Sequence, residues 1–263
     1  MHEADIENEE EIKNIIFQEK PDKILHLAAR AGVQPSLKDP LKYVRTNIIG
    51  TANVLEAARL AGVMNVVFAS SSSVYGGNKK IPFSEKDNVD NPYSPYAATK
   101  RSCEILAANY KHIHGMHIAA LRYFTVYGPR NRPDMAIYKF TEKILNDEPL
   151  KIYQTEQEIK RDWTYISDIV KGTIMILDKT EHIGFDIFNL GGENPVLLLD
   201  FVKHLETALE KKAQIIYTPL PPGDVPITCA DTTKITNALK WKPTTPLEEG
   251  IKEFVKWFKE QNK

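Results

Sequence analysis

"NVVFASSSSVYG", residues 65–76, decides the fold. Its first half is a short apolar run ending in small side chains, the pattern of a strand buried on both faces of a parallel sheet. Its second half is a run of four serines. Similar apolar runs lie on either side, "DKILHLAA" (22–29) before it and "HIAALRYF" (117–124) after it. Helical patterns separate them. "DPLKYVRTNIIGTANVLEAARLAG" (39–62) stops at Gly62, and the segment from about Pro95 to Gly115 has proline in its first turn and glycine at its end. Ahead of all these, "NEEEIKNIIFQEK" (8–20) reads as a helix. Asn8 and Glu11 have cap spacing there, and Ile12, Ile15 and Ile16 share a face. This alternation predicts an α/β fold, a doubly wound parallel sheet with helices on both faces.

After Gly128 the pattern loosens. "YISDIVKGTIMILDK" reads as a helix, "DIFNLGG" as a strand and "LEEGIKEFVKWFKEQ" as a C-terminal helix that follows the Pro-rich loop "TPLPPGDVP". We therefore divide the chain into a first unit, 1–128, and a smaller α/β lobe, 129–263, interleaved with the last strands of the sheet. The 263 residues suffice for a sizeable core. A net charge of −1 supplies no basic field for nucleic acid or an anionic membrane, so an acidic substrate needs local cationic groups. No apolar run is long enough to span a bilayer, and the acidic opening "MHEADIENEEEIKN" is unlike a secretory leader. Two cysteines, Cys103 and Cys229, give no metal-ligand spacing and no disulfide framework, so a reducing cytoplasm is the expectation.

Two Tyr/Lys pairs have four-residue spacing: Tyr75 with Lys79, and Tyr96 with Lys100. Such a pair meets only on a helix. Gly76 and Gly77 disfavour helix after Tyr75, whereas "YAATK" allows it, so Tyr96 and Lys100 share a face. An ammonium beside a phenol favours phenolate, which can take a proton from a sugar hydroxyl or an alcohol. For a lone match, a surface pair is the plainer reading. The serines at the end of the preceding strand add hydroxyls where the ligand crevice of such sheets lies, although serine is also common in turns.

"SSSSVYG", "YAATK", "RYFTVYGP", "RPDMA" and "RDWTYISDI", in this order, resemble the extended short-chain dehydrogenase/reductase family of NAD-dependent nucleotide-sugar epimerases and dehydratases. The resemblance covers essentially the whole chain and is greatest to UDP-glucuronate 4-epimerases. It implies a Rossmann-type sheet, NAD as cofactor, a UDP-sugar as substrate, and a homodimer paired through helices 39–62 and 95–114. It also implies roles. Tyr96 is the general acid and base at the sugar 4-hydroxyl, Lys100 holds the nicotinamide ribose, and Ser71 hydrogen-bonds the reacting oxygen. Asp5, Ile6, Leu27, Ala28, Ala29, Asn47 and Phe124 join Tyr96 and Lys100 on the cofactor side. Ser72, Ser73, Thr125, Arg132, Arg161 and Asp224 contact the substrate. The implied reaction oxidises and re-reduces C4 through a 4-keto sugar. Two readings without the resemblance stay open: Arg161 with Asp162 as a surface ion pair, and Asp224 as a turn residue.

The sequence departs from the family in one large respect. Its 13 glycines never form G-x-x-G-x-x-G or G-x-G-x-x-G, the turn that seats a dinucleotide pyrophosphate. The chain opens at "HEADI", where the resemblance places the third strand. We therefore expect an N-terminally incomplete sheet, an open edge at "KILHLA", and poor NAD binding. Smaller departures are Gln34 in place of an arginine and Pro221 in place of a polar residue. Ser73 replaces a glutamate usual in 4,6-dehydratases and decarboxylases, which favours epimerisation. A catalytically dead remnant that binds a sugar nucleotide or a protein is the alternative, and a dehydratase or UDP-glucuronate decarboxylase is another.

Overall fold

The computed structural model describes residues 1–156 and 158–262. Four parallel strands form the main sheet in the order β1 (Lys23–His26), β2 (Asn65–Ser71), β3 (His117–Tyr123) and β7 (Phe185–Leu190). Alternate residues point to opposite faces of the strands. Val66, Phe68, Ile118 and Ala120 pack under helices α1 (Glu9–Glu19), α4 (Gly50–Leu60) and α5 (Pro95–His114). Val67, Ala119 and Leu121 pack on the other face with α7 (Ile166–Lys179) and α9 (Thr233–Leu239). Both faces are covered, as the apolar runs predict. β1 is an edge strand among the described residues. It ends at His26, so Leu27–Ala29 lie outside the expected strand, and Leu27 is 54% exposed. Residues 2–6 form no strand. Asp5 and Asn8 close a turn instead, in which the Asn8 amide donates to the Asp5 carbonyl at 2.9 Å.

The helix read at 39–62 is continuous but mixed. α3 (Pro40–Tyr43) runs into a π-helical turn, Val44–Ile49, and then into α4. Sequence periodicity leaves unread α2 (Val33–Lys38), which Gly32 introduces at φ 111°, and a 3₁₀ turn, Ser72–Tyr75, within the serine run.

A second group of elements carries its own core. β4 (Thr125–Tyr127), β6 (Lys160–Tyr165) and β8 (Pro195–Leu197) form one small sheet, while β5 (Leu150–Gln154) and β9 (Ile215–Pro219) form another. α6 (Ala136–Leu145), α8 (Leu198–Leu209) and α10 (Leu247–Gln261) bury Ile137, Ile144, Phe201, Leu205, Phe254 and Phe258 among them. Because β7 belongs to the main sheet although it follows β4–β6, the two groups interleave. Among the described residues no helix is long and apolar enough to cross a membrane.

Candidate active site

The carboxyl ends of β2 and β3 open onto a pocket of about 130 Å³. Its lining includes Ser72, Ser73, Thr125, Arg161 and Asp224, five of the six residues expected on the substrate side, together with Tyr93 and Ser94. α5 enters beside it. The Ser94 hydroxyl caps the helix by accepting the Ala97 amide at 3.1 Å, and Pro95 occupies the first turn.

Tyr96 and Lys100 share the α5 face turned to the sheet end, and Ser71 lies close enough to the Tyr96 hydroxyl to act on it. Burial is the largest influence on this phenol and pushes it above its ordinary value, with Ser71 and the Arg132 cation acting in the opposite direction. Lys100 is 5% exposed and donates to the Ala69 carbonyl at 2.7 Å. Burial brings its ammonium down to about 8. Sequence spacing leads one to expect Lys100 as the cation beside the phenol. The ammonium is spent on the strand, and Arg132 is the cation that acts on Tyr96. Tyr43 meets the Tyr96 ring edge-on, with centroids 6.2 Å apart.

The second pair does not meet. The 3₁₀ turn ends at Gly76, φ 53°, and Lys79 is exposed. The Tyr75 hydroxyl instead donates to Asn189 Oδ1 at 2.6 Å.

Arg132 is exposed and forms a two-armed pair with Asp134 at 2.8 and 2.6 Å, close to Tyr43 and Tyr96. Arg161 makes no surface ion pair with Asp162. Strand alternation sends the two apart. Arg161 Nη1 donates to the Pro226 carbonyl at 2.8 Å and feels the charge of Asp224, while Asp162 is fully buried and accepts the amides of Ala230, Gly192 and Glu193. Asp224 lies in a turn, its amide reaching the Pro221 carbonyl at 3.3 Å. Gln34, whose Nε2 donates to the Pro222 carbonyl at 3.0 Å, lies close enough to pull the Asp224 carboxyl down. Gln34 thus joins α2 to the Pro-rich loop, a contact that sequence spacing does not reveal.

On the cofactor side, the π-helical turn presents Asn47, which clasps the backbone of Arg30 (2.8 and 3.0 Å) and the Thr99 hydroxyl (2.9 Å). It thereby ties the segment after β1 to α5. Ala28 is exposed and Ala29 half-buried at that strand end. Phe124 is buried beside Tyr75 and Phe83. Asp5 is exposed, and Ile6 fills the space over Gly50, where a Cβ would lie 2.6 Å from Ile6 Cδ1.

Residues 1–254 match the family model described as GDP-mannose 4,6 dehydratase. The UDP-glucuronate 4-epimerase of Thermodesulfobacterium geofontis is 44% identical over 260 residues, 98% of this chain and 79% of the relative. The solved UDP-glucuronic acid 4-epimerase of Bacillus cereus, in complex with UDP-glucuronic acid and NAD, superposes with a TM-score of 0.90 at 36% identity, covering 98% of this chain and 81% of that one. The Thermotoga maritima UDP-glucose 4-epimerase with UDP-glucose gives 0.91 at 30% identity, covering 100% and 85%. On these matches the chain belongs to the extended short-chain dehydrogenase/reductase family of nucleotide-sugar epimerases and dehydratases.

Proposed function

We propose that this protein inverts C4 of a UDP-hexuronate, with UDP-glucuronate as the substrate. The observation that carries the reading is the Tyr96–Ser71 hydroxyl pair beside a pocket lined by Ser72, Ser73, Thr125, Arg161 and Asp224. Bound NAD supplies hydride acceptance and return at the sugar carbon. The donor set suits that group: a buried ammonium at Lys100 and a phenol at Tyr96 share one face of α5 at the sheet end.

The chain's own groups do the proton chemistry. Tyr96 accepts the 4-hydroxyl proton and later returns it, and Ser71 hydrogen-bonds the same oxygen. Lys100 would hold the ribose hydroxyls of NAD, and its charge there would favour phenolate. Ser72, Ser73, Thr125 and Arg132 hold the sugar carboxylate. Keeping that carboxylate in the carbonyl plane of the 4-keto sugar opposes loss of CO₂, because cleavage needs the C–C bond perpendicular to the plane. Arg161 meets the diphosphate or ribose, and Asp224 the uracil. Asp5, Ile6, Leu27, Asn47 and Phe124 complete the cofactor side. In this reading residues 1–128 form the dinucleotide unit and 129–263 the substrate lobe. Two copies pair through residues 39–62 and 95–114. The free, buried cysteines Cys103 and Cys229 suit a reducing cytoplasm.

Incubation with UDP-glucuronate and millimolar NAD⁺ tests this. UDP-galacturonate is the expected product, and Tyr96→Phe lowers kcat by about 10²–10⁴-fold. Release of CO₂ with a UDP-pentose would replace the epimerase reading with a decarboxylase. Because these 263 residues hold no glycine-rich phosphate loop, calorimetric titration with NAD⁺ is expected to show binding weaker than micromolar.

A further inference from the structure

Ser70, Arg122 and Asn189 stand in one register row across β2, β3 and β7. They continue the face on which Val66, Phe68, Ile118 and Ala120 pack under α5. All three are buried, at 3%, 1% and 0% exposure, one residue short of the strand ends that open onto the pocket. A buried polar row needs partners, and it finds them from two directions. From α5, Glu104, fully buried, accepts Ser70 Oγ at 2.7 Å and both arms of Arg122 at 2.8 Å each. From the 3₁₀ turn, Tyr75 donates to Asn189 and lies beneath the Arg122 guanidinium, 4.8 Å from ring centroid to Cζ. Arg101 Nη1 reaches the same carboxylate at 3.3 Å.

The spacing on α5 is the second observation. Tyr96, Lys100 and Glu104 follow one another at intervals of four along one helix face. Lys100 and Glu104 are fastened to the end of β2, at Ala69 and Ser70, and Tyr96 stands beside its last residue, Ser71. Only the Glu104 contact also reaches β3.

We propose that the Glu104–Arg122 pair is a positioning device that fixes the roll and depth of α5 against the sheet and so holds the Tyr96 hydroxyl beside Ser71. The proposal rests on the acid–base reading of Tyr96. Neither residue lines the pocket, so both act through others. A two-armed carboxylate–guanidinium contact fixes direction, whereas aliphatic packing of equal volume only resists separation. The desolvation of two buried charges offsets most of their attraction, so an apolar pair of similar size leaves stability nearly unchanged. Positioning and stability can therefore be separated.

The test places 3,5-difluorotyrosine at position 96, which brings the phenol into an accessible pH range, and follows its titration by ¹⁹F NMR. The backgrounds are the parent chain, Glu104→Gln, and the paired variant Glu104→Leu with Arg122→Met. Ser71 favours the phenolate, so loosening that contact raises the midpoint, by about half a pH unit or more, in both variants. The paired variant keeps its thermal midpoint within a few degrees of the parent. A Tyr96 midpoint unchanged or lowered in the paired variant overturns the proposal. If that variant does not fold, Glu104→Gln decides by the same criterion. If neither folds, the pair serves stability and the proposal fails. The readout needs no turnover, so an inactive parent chain would count against the epimerase function and leave this test standing.

Discussion

Two buried titratable residues outside the pocket make this protein's stability depend on pH. Asp162 is fully buried, and burial pushes its carboxyl up to about 6, against the pull of three backbone amides. His26 is buried on β1 against the Thr51 hydroxyl, 3.1 Å away, and burial brings it down to about 4. Their effects oppose each other. The folded state holds the Asp162 proton more tightly than the unfolded chain does. Its contribution is therefore complete below the ordinary carboxylate value and is lost as pH rises through about 6. The folded state disfavours the charged His26, so that contribution is complete above the ordinary imidazole value and is lost as pH falls toward about 4. In urea unfolding from pH 4.5 to 7, the stability advantage of the parent over Asp162→Asn should shrink by about 2 kcal/mol. Its advantage over His26→Gln should grow by about the same amount. Parallel curves for parent and variants would refute these placements. The sequence does not disclose either residue. Asp162 reads as half of an Arg161–Asp162 ion pair until the strand is known to send neighbours to opposite faces.

At the level of one element, α5 shows which signals are local enough to read. The proline in its first turn and the glycine at its end are sequence-adjacent and are read directly, and the structure has both in place, with Ser94 as the cap. Ser94→Ala removes an acceptor for the Ala97 amide and should cost about 1 kcal/mol. Gly115 ends the helix at φ 72° with nothing within 4 Å of an added Cβ, so Gly115→Ala should cost only its backbone conformation, about 1–2 kcal/mol. Gly172 is the contrast. It lies inside α7, where alanine is the better helix former, yet its Cβ would lie 2.7 Å from Trp241 Nε1 and 3.1 Å from Leu190. Gly172→Ala should therefore destabilise by about 1–3 kcal/mol despite the propensity gain. Thermal and denaturant midpoints of the three variants check the order. What stayed hidden along the same helix is Glu104. Its partners Ser70 and Arg122 lie 34 and 18 residues away, and only strand register brings them together. The 3₁₀ turn at Ser72–Tyr75 and the π-helical turn at Val44–Ile49 were hidden for a related reason. Both bend a segment whose periodicity still reads as its regular neighbour.

For the whole molecule, the alternating rhythm up to Gly128 exposed three strands of the sheet and the layer of α1, α4 and α5, because buried parallel strands leave unbroken apolar runs, whereas the opposite layer, α7 and α9, comes after it. The second group of elements was less legible, since β4, β8 and β9 are short and pair with strands distant in sequence. The surface carries one further consequence of the first layer. α4 and α5 pack together, and their outer sides leave Leu60, Ile105 and Ile113 exposed at 44%, 56% and 61%. Leu41, on α3 just ahead in the same run, is 67% exposed. Apolar side chains grouped on two neighbouring helices form a surface suited to an isologous contact, in which each helix pair meets its own copy across a two-fold axis. The chain, 29.9 kDa, is then expected to elute as a dimer in size exclusion with light scattering at micromolar concentration. Ile105→Glu would place two carboxylates near that axis and should shift the species to monomer. Because Ile105 is exposed in the single chain, the change should alter the monomer's own stability by no more than about 0.5 kcal/mol. A parent chain that runs as a monomer, or an Ile105→Glu variant that stays dimeric, would remove this face from the assembly and leave its exposed aliphatic groups to another role.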